Sequence, residues 1–463
     1  MLDRQPASDE SAIEAQEYSD QWLADQVVAR RGTTMRFVPA QDRFFVWTGS
    51  RWEPDTSLLA DNIIAVELRR IADGVARRGA TAKQRAKNAK FARAMCSAGK
   101  LKAVKSLLEN DRAIVVEPNA LDQDPWLLNT PAGICDLRTG ELGAFDPAQL
   151  CTKRTSVAPD FTAACPEWKR FLAEATGGDV EMECYLQRLA GYGLTGVTRE
   201  QTFTFVWGPG GNGKSVFVNT VRGIHGDYAR TAPMDTFTAS NNERHSTELA
   251  MLQGARLVTA SETQAGKRWD EARIKSLTGS DPITARFMRQ DFFTYLPQFK
   301  LLFTGNHKPE LRNIDEAMKR RVHFVPFVVK PVTVDRDLEE KLRVEWPAIL
   351  AWMIEGCLAW QQQGLNPPEA VRATTDEYFR EEDAVGQWLD EACTDSPGAF
   401  TPLKELFASW REWCNGLGNA AGTDRRLSQA LRNRGLKRGK HSDTRCTGYH
   451  DIVLLPHGPE ALC

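Results

Sequence analysis

The residues best suited to chemistry lie in the run 208–215, which reads Gly-Pro-Gly-Gly-Asn-Gly-Lys-Ser and fits the phosphate-loop pattern G-x-x-x-x-G-K-[ST]. Glycines let backbone N–H groups curl around a phosphate without an obstructing Cβ atom. Lys214 can reach the β and γ oxygens of a nucleoside triphosphate, and Ser215 can offer its hydroxyl to Mg²⁺. The sequence therefore predicts ATP and Mg²⁺ as cofactors, held by Gly208, Pro209, Gly210, Gly211, Asn212, Gly213, Lys214 and Ser215.

The residues on either side of this loop supply the elements that would position it. The run 202–207 is rich in β-branched and aromatic side chains, which favour a strand, and 216–221 can continue as a helix. A strand, a glycine-rich loop and a helix in that order form the setting that a phosphate loop requires. Further strand-like runs at 256–260 and 300–304 indicate a sheet around the loop. The predicted fold class is therefore α/β, with a P-loop NTPase core sheet.

Polar residues follow the later strands. Glu262 follows the strand-like run 256–260, after Ser261, and a carboxylate there can join Ser215 at the metal or polarise the attacking water. A surface glutamate after a core strand would be an equally good interpretation of Glu262 in isolation. Asn306 follows the run 300–304 and can reach the γ-phosphate. Arg320 and Arg321 enter a further strand, where an arginine could complete the site of a neighbouring subunit.

Taken in order, these motifs resemble those of the superfamily 3 helicases, and more narrowly the phage and poxvirus primase–helicase branch. The motifs that carry the resemblance are 208–215, Ser261-Glu262, Thr304-Gly305-Asn306 and Arg320-Arg321. The resemblance implies an AAA+-like core, a Walker B acid at Glu262, a sensor at Asn306 and an arginine finger at Arg321, with Arg320 as the fallback. It also implies a homo-oligomeric ring, with a hexamer expected. Ser261 stands where many related ATPases have an aspartate, so Glu262 would serve both metal and water.

The resemblance extends to a DNA-binding hairpin. The segment 275–286 is similar to an extra motif of this branch, and the hairpin that follows would have its tip near 288–290. In such helicases this hairpin carries the DNA contacts of the central channel. The implied DNA-binding residues in this region are Lys275, Arg286, Arg289 and Gln290.

The same resemblance and the composition along the chain divide it into five segments. Residues 1–17 are expected to be a disordered leader, 18–165 an α+β N-terminal accessory domain, and 166–330 the ATPase core with its leading helices. A helical lid and linker over 331–370 and a winged-helix tail over 371–463 follow. Because about 17 residues precede the matching region, the polymerising primase domain of longer relatives is not expected.

Two basic clusters could contact nucleic acid. The tail has a helix, a glycine and a basic wing, a layout that suits phosphate contacts by Arg432, Arg434, Lys437 and Arg438. The stretch 69–105 contains twelve Lys and Arg residues and one acid, Asp73. For this second stretch a solvated helical face is the favoured interpretation, with nucleic-acid binding as the alternative.

Composition limits the remaining possibilities. The 463 residues carry a net charge of −2, which argues against a globally basic nucleic-acid binder. No apolar run approaches the roughly 18 residues that span a bilayer, so no membrane partner is expected. Ten cysteines without a C-x-x-C pair indicate reduced thiols and argue against a zinc ribbon. These features predict a location in the cytoplasm, that of a bacterial host cell.

The function predicted from the sequence is an ATP-dependent replicative DNA helicase of a phage, prophage or plasmid. It would translocate on single-stranded DNA as a ring. Its partners would be single-stranded and forked DNA, and a separate primase or initiator is a further candidate partner. The alternative is a non-translocating, ATP-switched DNA-binding initiator or defence regulator. An RNA-directed ATPase is a third interpretation. Strand displacement on a forked duplex distinguishes the helicase from the ATP-switched protein, because a switch would hydrolyse ATP without unwinding DNA.

Overall fold

The structure is a computed structural model that describes residues 17–239, 247–261, 267–289, 291–311, 316–331, 333–441 and 444–455. Most of the predicted leader, together with the predicted site residues Glu262 and Gln290, therefore lies outside the described residues. None of the described helices is both long and apolar enough to cross a membrane.

The first part of the chain combines helices with two small antiparallel sheets. Its elements are α1 (Asp20–Arg31), β1 (Met35–Val38), β2 (Arg43–Trp47), β3 (Trp52–Pro54), α2 (Leu59–Ala76), α3 (Ala82–Met95), α4 (Ala98–Leu108), β4 (Leu127–Thr130), β5 (Gly133–Asp136) and β6 (Glu141–Gly143). Ser19, Thr81 and Ser97 begin α1, α3 and α4, because each hydroxyl accepts a hydrogen bond from a backbone N–H three residues later. Leu23, Ile64 and other apolar residues of these helices form a separate core.

The central part of the chain alternates helices and strands. Its elements are α5 (Pro166–Thr176), α6 (Val180–Leu194), β7 (Phe203–Trp207), α7 (Lys214–His225), β8 (Ala229–Thr231), α8 (Thr247–Ala250), β9 (Leu257–Ser261), α9 (Glu271–Thr278), β10 (Ile283–Ala285), β11 (Phe293–Tyr295), β12 (Lys300–Gly305), α10 (Glu316–Lys319), β13 (Val322–Pro326) and α11 (Leu338–Gln363). Five of the strands form one sheet in the order β13-β7-β12-β9-β8, and every pairing is parallel. This mixed α/β architecture is consistent with the predicted P-loop-like core.

Both faces of this sheet are covered, as parallel sheets require. In β12, Leu302 joins the apolar cluster that includes α6 and α11, whereas Leu301 and Phe303 join the cluster on the other face. Because side chains alternate along a strand, an almost uninterrupted apolar run supplies both clusters. The sheet is therefore the rigid centre against which the loops at its edges are held.

Two buried cations close the amino edge of the sheet. Arg256, which precedes β9, donates hydrogen bonds to the carbonyls of Leu194 (2.8 Å) and Leu127 (2.8 Å). Lys300 begins β12 and donates to the carbonyls of Thr195 and, at 3.3 Å, Val197. Burial holds the pKa of Lys300 well below its usual value. These bonds attach the end of α6 and the strand β4 to the five-stranded sheet.

Within the segment predicted as lid and linker, α11 packs into the protein core. Met353 and Trp360 are fully buried against α6. The helices cross so closely that a Cβ atom on Gly191 would lie 2.1 Å from the Cys357 nitrogen, and one on Gly356 would lie 2.1 Å from the Gln187 carbonyl oxygen. Glycine at both positions therefore permits direct backbone contact between α6 and α11.

The tail has its own sheet and core. Its elements are α12 (Glu369–Glu382), α13 (Ala384–Ala392), β14 (Cys393–Pro402), α14 (Leu403–Gly416), α15 (Asp424–Asn433), β15 (Arg438–Lys440) and β16 (Thr447–Leu454). The strands are antiparallel in the order β14-β16-β15. Trp388, Leu431 and Tyr449 pack together in this part. In contrast, α12 packs against β13, with the rings of Tyr378 and Phe324 at 4.2 Å.

The described cysteines are free thiols in two different environments. Burial raises the pKa of Cys135, Cys151 and Cys357 to about 12. Cys96 and Cys184 are exposed. No disulfide joins any of the cysteines that the structure describes.

Candidate nucleotide and DNA-binding sites

The predicted phosphate loop joins β7 to α7 at the carboxyl edge of the sheet. Gly213 caps α7 with φ of 84°, and Gly211 has φ of 77°. Glycine adopts these left-handed conformations at little cost, whereas other residues would be strained. A Cβ atom on Gly208 would lie 1.9 Å from the Phe327 carbonyl oxygen, so this position also excludes a side chain. The glycines thus give the loop its shape.

Lys214 folds back over the loop. Its Nζ atom donates to the carbonyls of Gly208 (2.6 Å) and Pro209 (2.9 Å) and to Oδ1 of Asn212 (2.9 Å). The Asn212 amide in turn donates to the Phe327 carbonyl. Burial lowers the pKa of Lys214. Phosphate oxygens could replace these neutral acceptors and give the ammonium group a charged partner, so the donor set fits ATP.

The side chain of Ser215 is exposed in the first turn of α7. Its hydroxyl is therefore accessible to Mg²⁺ bound with the phosphates. The loop and its helix supply an ammonium group, backbone N–H groups and this hydroxyl at one place. Such a donor set suits a magnesium–triphosphate.

The strands that carry the other predicted ATP-site residues end at the same edge. Gly305 lies opposite Trp207, the last residue before the loop, and Thr304 lies opposite Ser261. The next residue, Asn306, is exposed at this edge. Glu262 follows Ser261 but lies outside the described residues. The fold therefore brings the phosphate loop, Asn306 and the end of β9 together, in the arrangement that their sequence order predicts.

The two candidate finger arginines lie at the opposite edge. Arg321 directly precedes β13, and its backbone carbonyl accepts a hydrogen bond from Phe203, the first residue of β7. Its side chain is 8% exposed and donates to the Ala317 carbonyl at 2.8 Å. Arg320 is exposed. A five-residue strand separates these arginines from the phosphate loop of their own chain, a rise of about 16 Å.

The predicted hairpin consists of β10 and β11, which pair antiparallel between α9 and β12. Its tip exposes large apolar side chains, with Met288 75% and Phe292 61% exposed. The guanidinium of Arg286 lies 4.6 Å from the Phe292 ring centroid, and Arg289 adopts a left-handed φ of 62°. Lys275 lies apart from the tip, in the last turn of α9.

The four predicted tail cations lie at the end of α15 and at β15. Arg432, Lys437 and Arg438 are exposed. Arg434 is exposed as well, and it forms an ion pair with Asp383, which precedes α13. All four cations therefore lie on the surface of the tail, and Arg434 among them is paired with a carboxylate.

Lys308, near the carboxyl edge of the sheet, was not predicted from the sequence. Its Nζ atom lies 4.4 Å from the ring centroid of Trp207 and 5.7 Å from that of Tyr378. It therefore links the strand that leads into the phosphate loop to α12. The sequence shows a lysine two residues after Asn306, but it does not show that the lysine contacts Trp207 and Tyr378, because both rings are distant in sequence.

Comparisons with known proteins agree with these observations. Residues 21–177 match the family described as D5 N terminal like, and residues 206–321 match a family of unknown function, DUF5906. The chain is 26% identical over 336 residues to a protein of Acanthamoeba polyphaga mimivirus named "Putative helicase". It is 27% identical over 253 residues to a protein of Frog virus 3 (isolate Goorha) that is also named so. These matches support the predicted resemblance to the superfamily 3 primase–helicase branch.

The chain spans only about a third of the length of these viral relatives. The matches cover 65% and 50% of this chain but only 34% and 26% of the mimivirus and frog virus relatives. A solved apo structure of the NrS-1 C-terminal region has a TM-score of 0.50 and 11% identity, covering 94% of this chain and 99% of that one. At this identity the likeness concerns the fold alone. The relatives support a helicase-like function, and a phage or plasmid origin stays a prediction.

Proposed function

We propose that this chain is an ATP-driven DNA helicase that moves along single-stranded DNA as a ring, with a hexamer expected. The observation that carries the proposal is the position of the hairpin. It is inserted between β9 and β12, which are neighbours in the sheet and end beside the phosphate loop. A change at the end of β9 on ATP hydrolysis would reach the hairpin through α9, which lies between them in the chain, whereas the hairpin joins the start of β12 at the opposite edge of the sheet. This coupling is what a translocating motor requires.

The residues at the carboxyl edge would divide the ATPase chemistry. Lys214 would neutralise the β and γ oxygens, and Ser215 would hold Mg²⁺. Glu262, as the residue after β9, would join the metal shell and orient the attacking water. Asn306 would contact the γ-phosphate and report its loss. ATP supplies the phosphoryl group and Mg²⁺ offsets the charge that develops during its transfer.

An arginine at the amino edge would complete the ATP site of the next subunit. Neither Arg320 nor Arg321 lies near the phosphate loop of its own chain, which supports action in trans. Burial of Arg321 makes Arg320 the better placed of the two, because an exposed side chain can enter a neighbour's site without unfolding its surroundings. The sequence resemblance favours Arg321, so a variant of each arginine is needed to distinguish them.

The hairpin tip and the tail would hold DNA in different ways. Inside the ring, single-stranded DNA would be contacted by Arg286, Arg289 and Gln290 of the hairpin and by Lys275 of α9. In the tail, the order α13-β14-α14-α15-β15-β16 and the sheet order β14-β16-β15 support a winged helix with α15 as its recognition helix. Arg432, Lys437 and Arg438 would contact the backbone of duplex or forked DNA.

Unwinding of a forked duplex, measured together with ATP hydrolysis at one salt concentration, tests the proposal. Arg289→Ala should retain ATP binding and assembly but lose DNA-stimulated hydrolysis and unwinding. Arg112→Ala removes an exposed arginine far along the chain in the accessory domain and should leave both unchanged. Hydrolysis without strand displacement by the unaltered protein would instead favour the ATP-switched initiator. Normal unwinding by Arg289→Ala would reject the hairpin mechanism.

A further inference from the structure

The basic stretch of the accessory domain contains two kinds of cation. Several on its flanking elements have a carboxylate partner: Arg70 lies 2.9 Å from Glu67, Arg78 3.4 Å from Glu17, Lys105 2.9 Å from Asp61, and Lys100 pairs with Asp20. Helix α3 differs. Within the described ranges, no carboxylate lies within salt-bridge distance of its cations Lys83, Arg85, Lys87, Lys90 and Arg93. Most of the positive charge in this stretch that has no carboxylate partner among the described residues therefore lies on α3.

Three of these cations form a stripe along α3. Lys83, Lys87 and Lys90 are spaced by four and three residues, so they lie on one face, and all three are exposed. The stripe is about 10 Å long at the helical rise per residue. On the opposite face Ala92 and Met95 are buried in the accessory core. No acidic residue occurs in the sequence between Asp73 and Glu109 to compensate the stripe.

An aromatic ring borders the stripe. Phe91 is 43% exposed, which is unusual for a large apolar side chain on an otherwise polar helix. Its ring meets that of Tyr18 edge to face, at 5.6 Å and 81°. This contact restrains the ring while much of its surface stays accessible. A restrained ring beside lysines can stack on an unpaired base while the lysines contact adjoining phosphates.

We propose that this surface, defined as Lys83, Lys87, Lys90 and Phe91, binds single-stranded DNA. The lysines complement the charge of the phosphate backbone, and Phe91 favours an unpaired strand because duplex bases offer no free face for stacking. The surface belongs to the accessory domain and is separate from the hairpin and the tail. The inference goes beyond the proposed motor function, because binding here requires neither ATP nor a ring.

The test measures binding of the full chain to a short fluorescent oligothymidylate, without nucleotide, by anisotropy over a range of salt concentrations. Replacing Lys83, Lys87 and Lys90 together by Gln should weaken binding on the order of tenfold to a hundredfold. It should also make the log–log salt dependence shallower by about 2, since each phosphate contact on a single strand contributes about 0.7. Phe91→Leu should weaken binding by about fivefold or more without changing the salt slope.

Two controls separate the site from a general effect of charge. Replacing the same three lysines by Arg keeps the charge and should keep binding. Replacing Arg43, Arg112 and Lys169 by Gln removes three exposed cations outside α3 and should have little effect. Equal losses for both Gln variants, an unchanged affinity in the α3 variant, or a loss confined to duplex DNA would each overturn the proposal. Because no ATP is present, failure of the motor proposal would not affect this result.

Discussion

The two edges of the central sheet both hold buried cations, but with different partners. At the carboxyl edge, Lys214 donates to carbonyls of a loop whose neighbouring residues Gly210 and Gly211 are exposed. At the amino edge, Arg256 and Lys300 donate to carbonyls inside the protein, where Arg256 is only 1% exposed. Phosphate oxygens can replace the loop carbonyls that accept from Lys214. The carbonyls that accept from Arg256 and Lys300 lie inside the protein, where no ligand can replace them.

This difference explains how similar chemistry serves two purposes. A buried cation always needs acceptors, because leaving it unpaired is costly. Where those acceptors lie on an accessible loop, the cation can bind a ligand. Where they belong to α6 and β4, it joins two parts of the fold. Substitutions at the carboxyl edge should therefore alter activity, and substitutions of the buried cations at the amino edge should alter stability.

The largest effect is expected for Lys214→Ala. Removing the ammonium group should reduce ATP turnover by more than about a thousandfold, because no other described cation occupies the loop to neutralise the β and γ oxygens. The melting temperature should change by only a few degrees, since the freed carbonyls can bind water. Steady-state hydrolysis and thermal unfolding check this. A large loss of stability with normal turnover of the folded fraction would contradict the comparison.

The finger arginines should show the next largest effect. Arg320→Ala should lower turnover by on the order of a thousandfold at unchanged melting temperature. Arg321→Ala should also lower stability, because it removes a buried side chain that bonds the Ala317 carbonyl. Mixing a true finger variant with Lys214→Ala protein should restore part of the hydrolysis, measured over a range of ratios. Assembled mixtures without any recovery would rule out a shared site.

At the amino edge, Arg256→Met should act on stability alone. It leaves the carbonyls of Leu194 and Leu127 without this donor, so the free energy of unfolding should fall by about 3 kcal/mol. Turnover per folded molecule should stay within about twofold. Urea unfolding monitored by fluorescence, with Arg112→Met as the exposed control, provides the measurement. A selective loss of turnover would mean that the two edges are not functionally separate.

The smallest effect concerns His225, which lies close to the amino-edge cations. Burial lowers its pKa to about 4, and Lys300 and Arg256 add to the shift. The unfolded chain therefore binds more protons between about pH 4 and 6.5, and stability should fall as the pH drops through this range. The expected loss is about 2 kcal/mol between pH 7 and 5. Urea unfolding at both values should show less loss in His225→Gln than in the unaltered protein.

The sequence predicted the carboxyl edge well because its signals are local. A glycine pattern defines the phosphate loop, and apolar runs followed by polar residues define the strand ends that surround it. These features depend on neighbours in sequence and on the rule that parallel strands share one carboxyl edge. The hairpin near 288–290 was instead implied by the resemblance to the primase–helicase branch, and the structure pairs 283–285 with 293–295 there.

The amino edge could not be predicted in this way. Arg256 and Lys300 stand beside apolar strands, where a charged residue suggests a solvated strand end. Their acceptors at Leu194, Thr195 and Leu127 come from segments more than 60 residues away. The contrast between buried Arg321 and exposed Arg320 likewise depends on tertiary packing. Adjacent residues of one type give no signal about which side chain faces the interior.

The uneven burial of the thiols has a practical consequence for labelling. Alkylating reagents react with thiolates, so Cys135, Cys151 and Cys357, with pKa values raised to about 12, should be almost inert at neutral pH. Exposed Cys96 and Cys184 should react first. Cys96 directly follows α3. A maleimide dye there would place a fluorescent reporter beside the lysine stripe without introducing a new residue, and Cys184→Ser would make the label more selective.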